Sequence, residues 1–477
     1  MRSNRPNRSA GLHFHGAFAR FERPASAARA LAAAARVSLD RLQVALVAAL
    51  AATCLASIFA AQVALALAIV VYAARLVTQR ARLADLPVAG SILAFCVWSL
   101  LAASFASDPV ASHEDAKKLV LFALFYVALD SLVRRRTRER IIDGLLLGGI
   151  ALSLMTIVQY HFMGYDTLNM RPRGLLGHYM TASGLAIPVL IVATARLAFA
   201  RETGLPLREA VVPALAGGAG VAILSASQYA GVFAEEGRRI FVAVLASVAG
   251  ARAVGAGGWQ RPGFSTILAA IALPISAWSL IVSQTRSAWL GALAGLGVLL
   301  LLKAPRSLWL LPAGVAALLV LQPAPLMSRL TLSDPSSVDR YYMWQAGVDM
   351  VIDKPIFGHG PGMIMAVYPA YRWPGAPNPR TPHLHDNALQ IAAERGLPGL
   401  GFWLWMLAVV LTTALREARR GPEPDWSVRA ALAALTGLLV AGLFEYNFGD
   451  SEVLMLTLLL MALPFASRRE RDEARPT

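Results

Sequence analysis

The sequence predicts an all-α polytopic membrane protein, and three observations support that fold class. Hydrophobic residues make up 57% of the chain and charged residues only 15%. Apolar runs of about 17 to 22 residues recur, which is the length a helix needs to cross a hydrocarbon core of about 30 Å. The runs are uniformly apolar, whereas the strands of a membrane barrel alternate polar and apolar residues. The membrane-spanning segments are therefore predicted to be helices.

The apolar runs predict about twelve to fourteen spans. Only a short polar stretch separates 210–227 from 239–252, and a re-entrant arrangement of these two segments would leave twelve. No internal repeat of about 20 to 50 residues is visible, which disfavours a transporter built from inverted repeats. The predicted spans are 41–58, 60–77, 86–105, 117–132, 141–162, 179–199, 210–227, 239–252, 264–283, 287–303, 307–323, 397–416, 427–445 and 451–467.

The formal net charge of +15 is a topology signal. If the N-terminus is cytoplasmic, basic clusters fall on every second connection, as the positive-inside rule requires. We therefore expect membrane lipids as partners, with attraction to anionic lipids as a by-product, and no nucleic acid. The clusters are Arg75, Arg80 and Arg82; Arg134 through Arg140; Arg201 and Arg208; Arg252 and Arg261; Lys303 and Arg306; Arg416, Arg419 and Arg420; and Arg468, Arg469 and Arg471.

This topology divides the chain into five regions. Residues 1–37 are predicted to be a cytoplasmic tail, and 38–322 the first set of transmembrane helices. Residues 323–396 form a large outer loop that contains short helices. Residues 397–467 return through the membrane, and 468–477 form a second cytoplasmic tail. Because the long loop gathers most of the polar groups outside the bilayer, we expect the chemistry there.

Arginines on the outer side are unexpected. Arg171, Arg173 and Arg286 lie there beside hydrophobic spans, where an arginine costs several kcal/mol unless it is paired or hydrated. A guanidinium fork matches phosphate oxygens, which predicts a bound anionic head group. The alternative is that Arg286 extends to the interface or pairs with a carboxylate such as Asp339.

His383 and His385 lie in the long loop. Residues 386–395 have helical spacing and end at Gly396, which is followed by Pro398. His385 would lie at the N-terminus of that helix, where the dipole disfavours an imidazolium and keeps a neutral base available. Asp386 would cap the helix or orient the imidazole.

No metal or cofactor is predicted. Two histidines without a clear third ligand are a weak zinc signal. Cys54 and Cys96 lie in apolar helices, so neither a disulfide nor a zinc site is expected. The histidines that stand alone in the sequence are expected to be structural; these are His113, His161, His178 and His359.

Three further groups of side chains have open roles. Arg340 and Trp344, one helical turn apart, would line an acceptor groove or dock the loop on the bundle. Arg372 and Trp373 belong to an aromatic and basic patch suited to sugars and phosphates, or to an interfacial belt. Glu445, near the end of a span, is expected to pair with an arginine.

Several runs of residues resemble the signature of the O-antigen ligase and O-antigen polymerase superfamily. The resemblance covers roughly residues 165–460, with Asp386 as a departure because the family usually has asparagine there. The runs are Arg173-Gly174-Leu-Leu-Gly177-His178, Thr285-Arg286-Ser287-Ala-Trp289, Asp339-Arg340-Tyr-Tyr-Met-Trp344, Lys354-Pro355-Ile-Phe-Gly358-His-Gly360, His383-Leu-His385-Asp386-Asn387-Ala-Leu-Gln390 and Glu394-Arg-Gly396-Leu-Pro-Gly399.

The resemblance implies a bacterial inner-membrane enzyme of GT-C-like architecture, whose periplasmic loop transfers a glycan from undecaprenyl pyrophosphate. It implies His385 as general base and Arg286 and Arg173 as ligands of the pyrophosphate, in a metal-independent, inverting reaction. The residues expected to bind substrate are His383, Arg171, Arg340, Asp386, Arg372 and Trp373.

Three acceptors fit this resemblance. A ligase uses lipid A-core, a polymerase uses another repeat unit, and a protein O-oligosaccharyltransferase uses Ser or Thr. The long basic loop favours the ligase with its lipid A-core acceptor. A polysaccharide transporter is disfavoured, because ionisable residues are almost absent from the middle of the spans.

Overall fold

The computed structural model confirms an all-α polytopic membrane protein. It describes residues 39–79, 87–167, 169–200, 264–310, 312, 335–421 and 424–474, and this part of the chain contains no strand. Seven described helices are long and apolar enough to cross a membrane. The described helices are α1 (39–53), α2 (Ile58–Gln79), α3 (Pro87–Ser104), α4 (Pro109–Ala116), α5 (Ala123–Leu132), α6 (Arg135–Phe162), α7 (Tyr179–Phe199), α8 (Phe264–Val282), α9 (Arg286–Lys303), α10 (Pro335–Asp353), α11 (Ile364–Tyr371), α12 (Asn387–Ala418), α13 (Trp426–Ala441) and α14 (Ser451–Glu473).

The core lies around α7 and α14. In both helices 83% of the most apolar window is buried inside the protein, against 22% in α2. Helices α7 and α14 are therefore surrounded by other helices, whereas α2 lies at the periphery with most of its surface exposed. Contacts of α9 with α13, and of α8 with α6 and α7, complete the packing.

Two ends of this bundle carry the polar residues. The histidine end contains the starts of α7, α9, α12 and α14 and the end of α13. The basic end contains the opposite ends of those five helices and the start of α6. Ion pairs join the basic clusters there, including Arg138 to Asp425 at 2.6 Å and to Glu470 at 2.9 Å. Collection of the cations at one end agrees with the positive-inside pattern.

Some predicted boundaries differ from the observed helix ends, and others lie outside the described residues. The predicted span 117–132 is a 3-10 segment, Lys117–Phe122, that continues through right-handed helical backbone into the ten-residue α5. Helix α14 continues to Glu473, past the predicted end at 467. The predicted tail 1–37, the spans 210–227 and 239–252, and nearly all of 307–323 lie outside the described residues.

Helix α12 breaks where the sequence predicts. Gly396 has φ 69° and ψ 177°, and a Cβ at this position would lie 1.9 Å from the carbonyl oxygen of Ile356. Only glycine suits this backbone. The break lets residues 355–360 dock on the helix. His359 N–H donates to the Ala393 carbonyl at 2.9 Å, and Leu397 N–H donates to the Pro355 carbonyl at 2.7 Å.

Candidate active site

The run from His383 to Gln390 begins α12 at the histidine end. Asp386 is its N-cap, and its carboxylate accepts a hydrogen bond from the Leu389 N–H at 2.7 Å. This confirms capping as its role in the fold. Gln390, one turn into the helix, accepts from the Leu384 N–H at 2.7 Å. The backbone between the two histidines is therefore fixed by the helix that follows it.

His385 is held in a left-handed backbone conformation, with φ 52°. Residues other than glycine rarely adopt this region, and such strain is common at functional sites. The His385 Nδ1 atom lies 3.0 Å from Glu445 Oε2. Because a carboxylate accepts, Nδ1 is the donor of this bond, and in the neutral imidazole Nε2 is then the nitrogen with the lone pair. The ring of His383 packs edge-on against that of His385, with centroids 4.2 Å apart.

Asn387 clamps the segment that carries Glu445. Its backbone N–H donates to the Gly442 carbonyl at 2.8 Å, and its side-chain amide donates to Asn447 Oδ1 at 2.8 Å. Its Oδ1 atom accepts from the Phe448 N–H at 3.1 Å. The loop after α13 is thus bonded to Asn387, two residues beyond His385. These bonds set the distance between the His385 imidazole and the Glu445 carboxylate.

Burial and charge act in opposite directions on the ionisable groups of this site. Burial alone would raise the pKa of Glu445, but the hydrogen bond from His385 and the nearby charges outweigh it and lower that pKa. Burial lowers the pKa of His383 to about 4, and the charge of His385 adds to the effect. At neutral pH, Glu445 is therefore anionic and His383 is neutral.

Arg340 and Trp344 both contact the segment that carries Glu445. Arg340 Nη2 lies 3.8 Å from Glu445 Oε2. The Trp344 ring lies 6.2 Å from that of Phe444. These contacts dock α10 on the loop after α13, and they also bring the Arg340 charge to the histidine pair. Glu445 was expected to pair with an arginine; its shorter contact is with His385, which the sequence did not reveal.

Arg286 begins α9 and reaches the same helix, α10. Its Nη2 atom donates to Ser337 Oγ at 2.8 Å, while Asp339 accepts from Asn378. Ser337 and Arg340 are three residues apart on α10, so they lie on one face of that helix. Arg286 and the histidine pair are therefore linked through one face of α10.

The predicted arginine loop lies against the end of α6. Gln159 Oε1 accepts from the backbone N–H groups of Arg173 and Gly174, at 2.9 and 2.8 Å. Gly174 has φ 61°, and a Cβ there would lie 2.5 Å from the Leu152 side chain. The Arg173 guanidinium donates to the Tyr165 hydroxyl at 3.1 Å.

His178, expected to be structural, approaches the site instead. Its side chain keeps accessible surface, yet desolvation lowers its pKa. Glu445 opposes this effect, whereas the charges of His385 and Arg171 add to it. The Arg171 guanidinium carbon lies 4.1 Å from the Tyr179 ring centroid. The start of α7 therefore places His178 near His385 and Glu445, with Arg171 beside His178 and Tyr179. The signal in the sequence was the position of His178 at a helix start within the arginine-glycine run.

The remaining predicted residues have partners elsewhere. Arg372 donates to the Ala376 carbonyl, and Trp373 Nε1 donates to Asp349 Oδ2 at 2.7 Å. The structure therefore holds both side chains within the long loop itself. Among the isolated histidines, His113 bonds to the Pro109 carbonyl and His161 to the Trp278 indole, which suits structural roles.

The site also contains the donor set of a metal ion. One nitrogen each from His383 and His385 and one oxygen from Glu445 lie within 4.8 Å of one another. The prediction of no metal depended on the lack of a third ligand, and Glu445 corrects that premise. Metal independence stays a prediction.

The fold is that of a multi-pass membrane protein. At one end of its helices, arginines and the His385–Glu445 pair form a polar site. Residues 267–404 match the family model described as O-antigen ligase, which supports a place in the O-antigen ligase superfamily. The match includes Arg286, Arg340 and His385, whereas Arg173 and Glu445 lie outside it. No curated protein matches this chain.

Proposed function

We propose that this protein is an O-antigen ligase of a bacterial inner membrane. It transfers a glycan from undecaprenyl pyrophosphate to a sugar hydroxyl of lipid A-core on the periplasmic face. The observation that carries the proposal is the hydrogen bond of 3.0 Å between His385 and Glu445, with Arg340 3.8 Å from the same carboxylate. The family match supports the superfamily, and the acceptor is the proposed step beyond it.

His385 acts as general base through its Nε2 atom. It takes the proton of the acceptor hydroxyl while the oxygen attacks the anomeric carbon. Glu445 holds the imidazole in the required tautomer and stabilises the imidazolium that forms. His383 is less suited to this role, because its pKa of about 4 makes it a weak base at neutral pH.

Arg286 and the loop from Arg171 to Arg173 bind the pyrophosphate. The bond between the anomeric carbon and the phosphate oxygen breaks, and its electron pair leaves with the pyrophosphate. This leaving group is stable as an anion, so guanidinium groups stabilise its developing charge and no protonating acid is required. Attack from the opposite face inverts the anomeric configuration.

The test is transfer with purified protein, lipid-linked O-antigen and lipid A-core, with and without a chelator. We expect product from the wild type under both conditions. His385→Ala should lower the rate about 10²- to 10⁴-fold, and Arg286→Ala about 10²- to 10³-fold. Exposed His113 and Arg306 provide matched controls, and His113→Ala and Arg306→Ala should retain the wild-type rate.

Each other result changes the assignment. Elongated lipid-linked glycan without a lipid A-core product would make the protein a polymerase, and transfer to Ser or Thr a protein glycosyltransferase. Full activity of His385→Ala would move the base to His383. Loss of activity with chelator, restored by zinc, would assign His383, His385 and Glu445 to a metal. Comparison of Arg171→Ala with Arg173→Ala then shows which arginine binds pyrophosphate.

A further inference from the structure

A cleft at the basic end is independent of the proposed reaction. It has a volume of about 490 Å³ and lies among the ends of α7, α9, α12 and α14 and the starts of α6 and α13. Six basic side chains line it, against two carboxylates, Asp425 and Glu470. The basic residues are Arg135, Arg138, Lys303, Arg420, Arg429 and Arg471.

Most of these cations have a carboxylate partner. Arg138 pairs with both carboxylates of the cleft, and Arg135 pairs with Glu139 at 3.3 Å. Arg420 and Arg471 both pair with the buried Glu417. Among the described residues, Lys303 and Arg429 have no carboxylate within ion-pair distance, so their two charges are not neutralised within this part of the protein.

Lys303 and Arg429 lie close together around one aromatic ring. Lys303 Nζ lies 5.2 Å and the Arg429 guanidinium carbon 4.6 Å from the centroid of Phe199. Both side chains also cap helix ends, with Lys303 donating to the Ala198 carbonyl and Arg429 to the Ala418 carbonyl. Capping uses one donor of each group. An ammonium has three donors and a guanidinium five, so donors remain for an anion.

The surface beside the cleft is suited to lipid. The chain that leaves Lys303 reaches Trp309 and Leu310, whose side chains are 63% and 46% exposed. Leu301, on the last turn of α9, is 54% exposed. Exposed tryptophan and leucine at a helix end are typical of the membrane interface, where lipid phosphates lie. These apolar side chains would contact the acyl chains of a lipid, whereas a soluble anion would make no use of them.

We propose that this cleft binds the phosphate of one anionic glycerophospholipid from the adjoining leaflet, with Lys303 and Arg429 as its ligands. A basic pocket between helix ends at the cytoplasmic surface is the usual setting for such a head group. Phosphatidylcholine would place its trimethylammonium beside these two cations. The site therefore discriminates against a zwitterionic head group.

Native mass spectrometry of the full-length protein, titrated with phosphatidylglycerol or phosphatidylcholine, tests the site. The wild type should bind its first phosphatidylglycerol at least about tenfold more tightly than phosphatidylcholine. Lys303→Gln with Arg429→Gln should lose about tenfold or more of that affinity. The matched control is Arg306→Gln with Arg469→Gln, which removes the same charge from the same end outside the cleft. It should stay within about twofold of the wild type.

Two further variants separate binding from folding. Lys303→Arg with Arg429→Lys keeps both charges and should keep the affinity. Lys303 is exposed, so Lys303→Gln alone isolates one charge if the double variant fails to fold. Equal losses in the cleft and control variants would overturn the proposal in favour of diffuse attraction. Inorganic phosphate that binds with the same dependence on Lys303 and Arg429, where phosphatidylglycerol shows none, would overturn the lipid assignment.

Discussion

At the basic end of the bundle a buried arginine pairs with two carboxylates, whereas at the histidine end one buried carboxylate contacts three basic side chains. Arg138 is 2% exposed and has two carboxylates within 3 Å, at 2.6 and 2.9 Å. Glu445 is 7% exposed and is approached by His385, His383 and Arg340 at 3.0, 3.9 and 3.8 Å. At the first end one cation has two anions, whereas at the second one anion serves three groups.

We interpret the arrangement around Arg138 as one that stabilises the fold, and the arrangement around Glu445 as one that leaves His385 available to react. Arg138 joins the starts of α6 and α13 to the end of α14 through two ion pairs. Among the described residues, His385 Nε2 has no hydrogen-bond partner, and the backbone at His385 is strained. Gln284, just before α9, is the other described non-glycine residue with positive φ. Each such position costs roughly 1–3 kcal/mol. His385 is itself the proposed base, and Gln284 lies two residues before Arg286.

Of the three replacements that test this comparison, Glu445 by glutamine should give the largest effect. Glutamine keeps the size but loses the charge that fixes the tautomer and stabilises the imidazolium. We expect kcat for glycan transfer to fall about 10²- to 10³-fold, with KM for the lipid-linked glycan within about threefold. Steady-state kinetics on the purified variant measures both values. Glu445→Asp should recover part of kcat, and a rise in KM at unchanged kcat would contradict the proposed role.

Replacement of Arg138 by methionine tests the other end. Two carboxylates would then lie close together without their cation, which strongly destabilises a buried pair. Because those carboxylates are 18% and 36% exposed, we expect a loss of roughly 2–4 kcal/mol in the free energy of unfolding. Denaturant unfolding in detergent measures it, with Arg138→Lys as an intermediate control. An unfolding curve that matches the wild type would show that the ion pairs of Arg138 do not stabilise the basic end.

Asp450 should give the smallest effect and one of opposite sign. Burial raises its pKa to about 6, and the charge of Glu445 contributes, while Thr181 donates to it at 2.6 Å. A folded pKa above the unfolded value means that the charged form is a cost above about pH 6 that fades as the pH falls.

Asp450→Asn removes that charge and should therefore stabilise the protein by roughly 1–2 kcal/mol at pH 8 and by about half as much at pH 5, because the cost disappears fully only below the unfolded pKa of about 3.8. Thermal unfolding of wild type and variant at the two pH values is the measurement. If Asp450→Asn instead destabilised the protein equally at both pH values, burial would not disfavour the charged form of Asp450.

Local signals in the sequence predicted the local structure. Asp386 caps α12 and Gly396 breaks it, because capping and left-handed turns depend on single residue types. The fold class followed equally well from the apolar runs. The type of helix at 117–132 did not follow, since an apolar run does not reveal that Lys117–Phe122 forms a 3-10 segment.

The partners in the site could not be predicted in the same way. Glu445 lies 60 residues after His385, and His178 lies in another helix start. Their contacts depend on how α7, α12 and α13 pack, which no local pattern states. A run of polar residues at the end of a span was visible around Glu445. The hydrogen bonds from this polar run to Asn387 are made by Asn447 and Phe448 and depend on tertiary packing. These bonds bring Glu445 into the site.

The clamp between Asn387 and Asn447 has a consequence for biosynthesis. The two asparagines are 60 residues apart, and all of α13 lies between them. A chain made and inserted from its N-terminus holds His385 before it holds Glu445. The proposed base is then without its carboxylate until the last hairpin has entered the membrane. On the proposed mechanism, we expect the protein to stay inactive during its own assembly and to become active only when its C-terminal helices are in place.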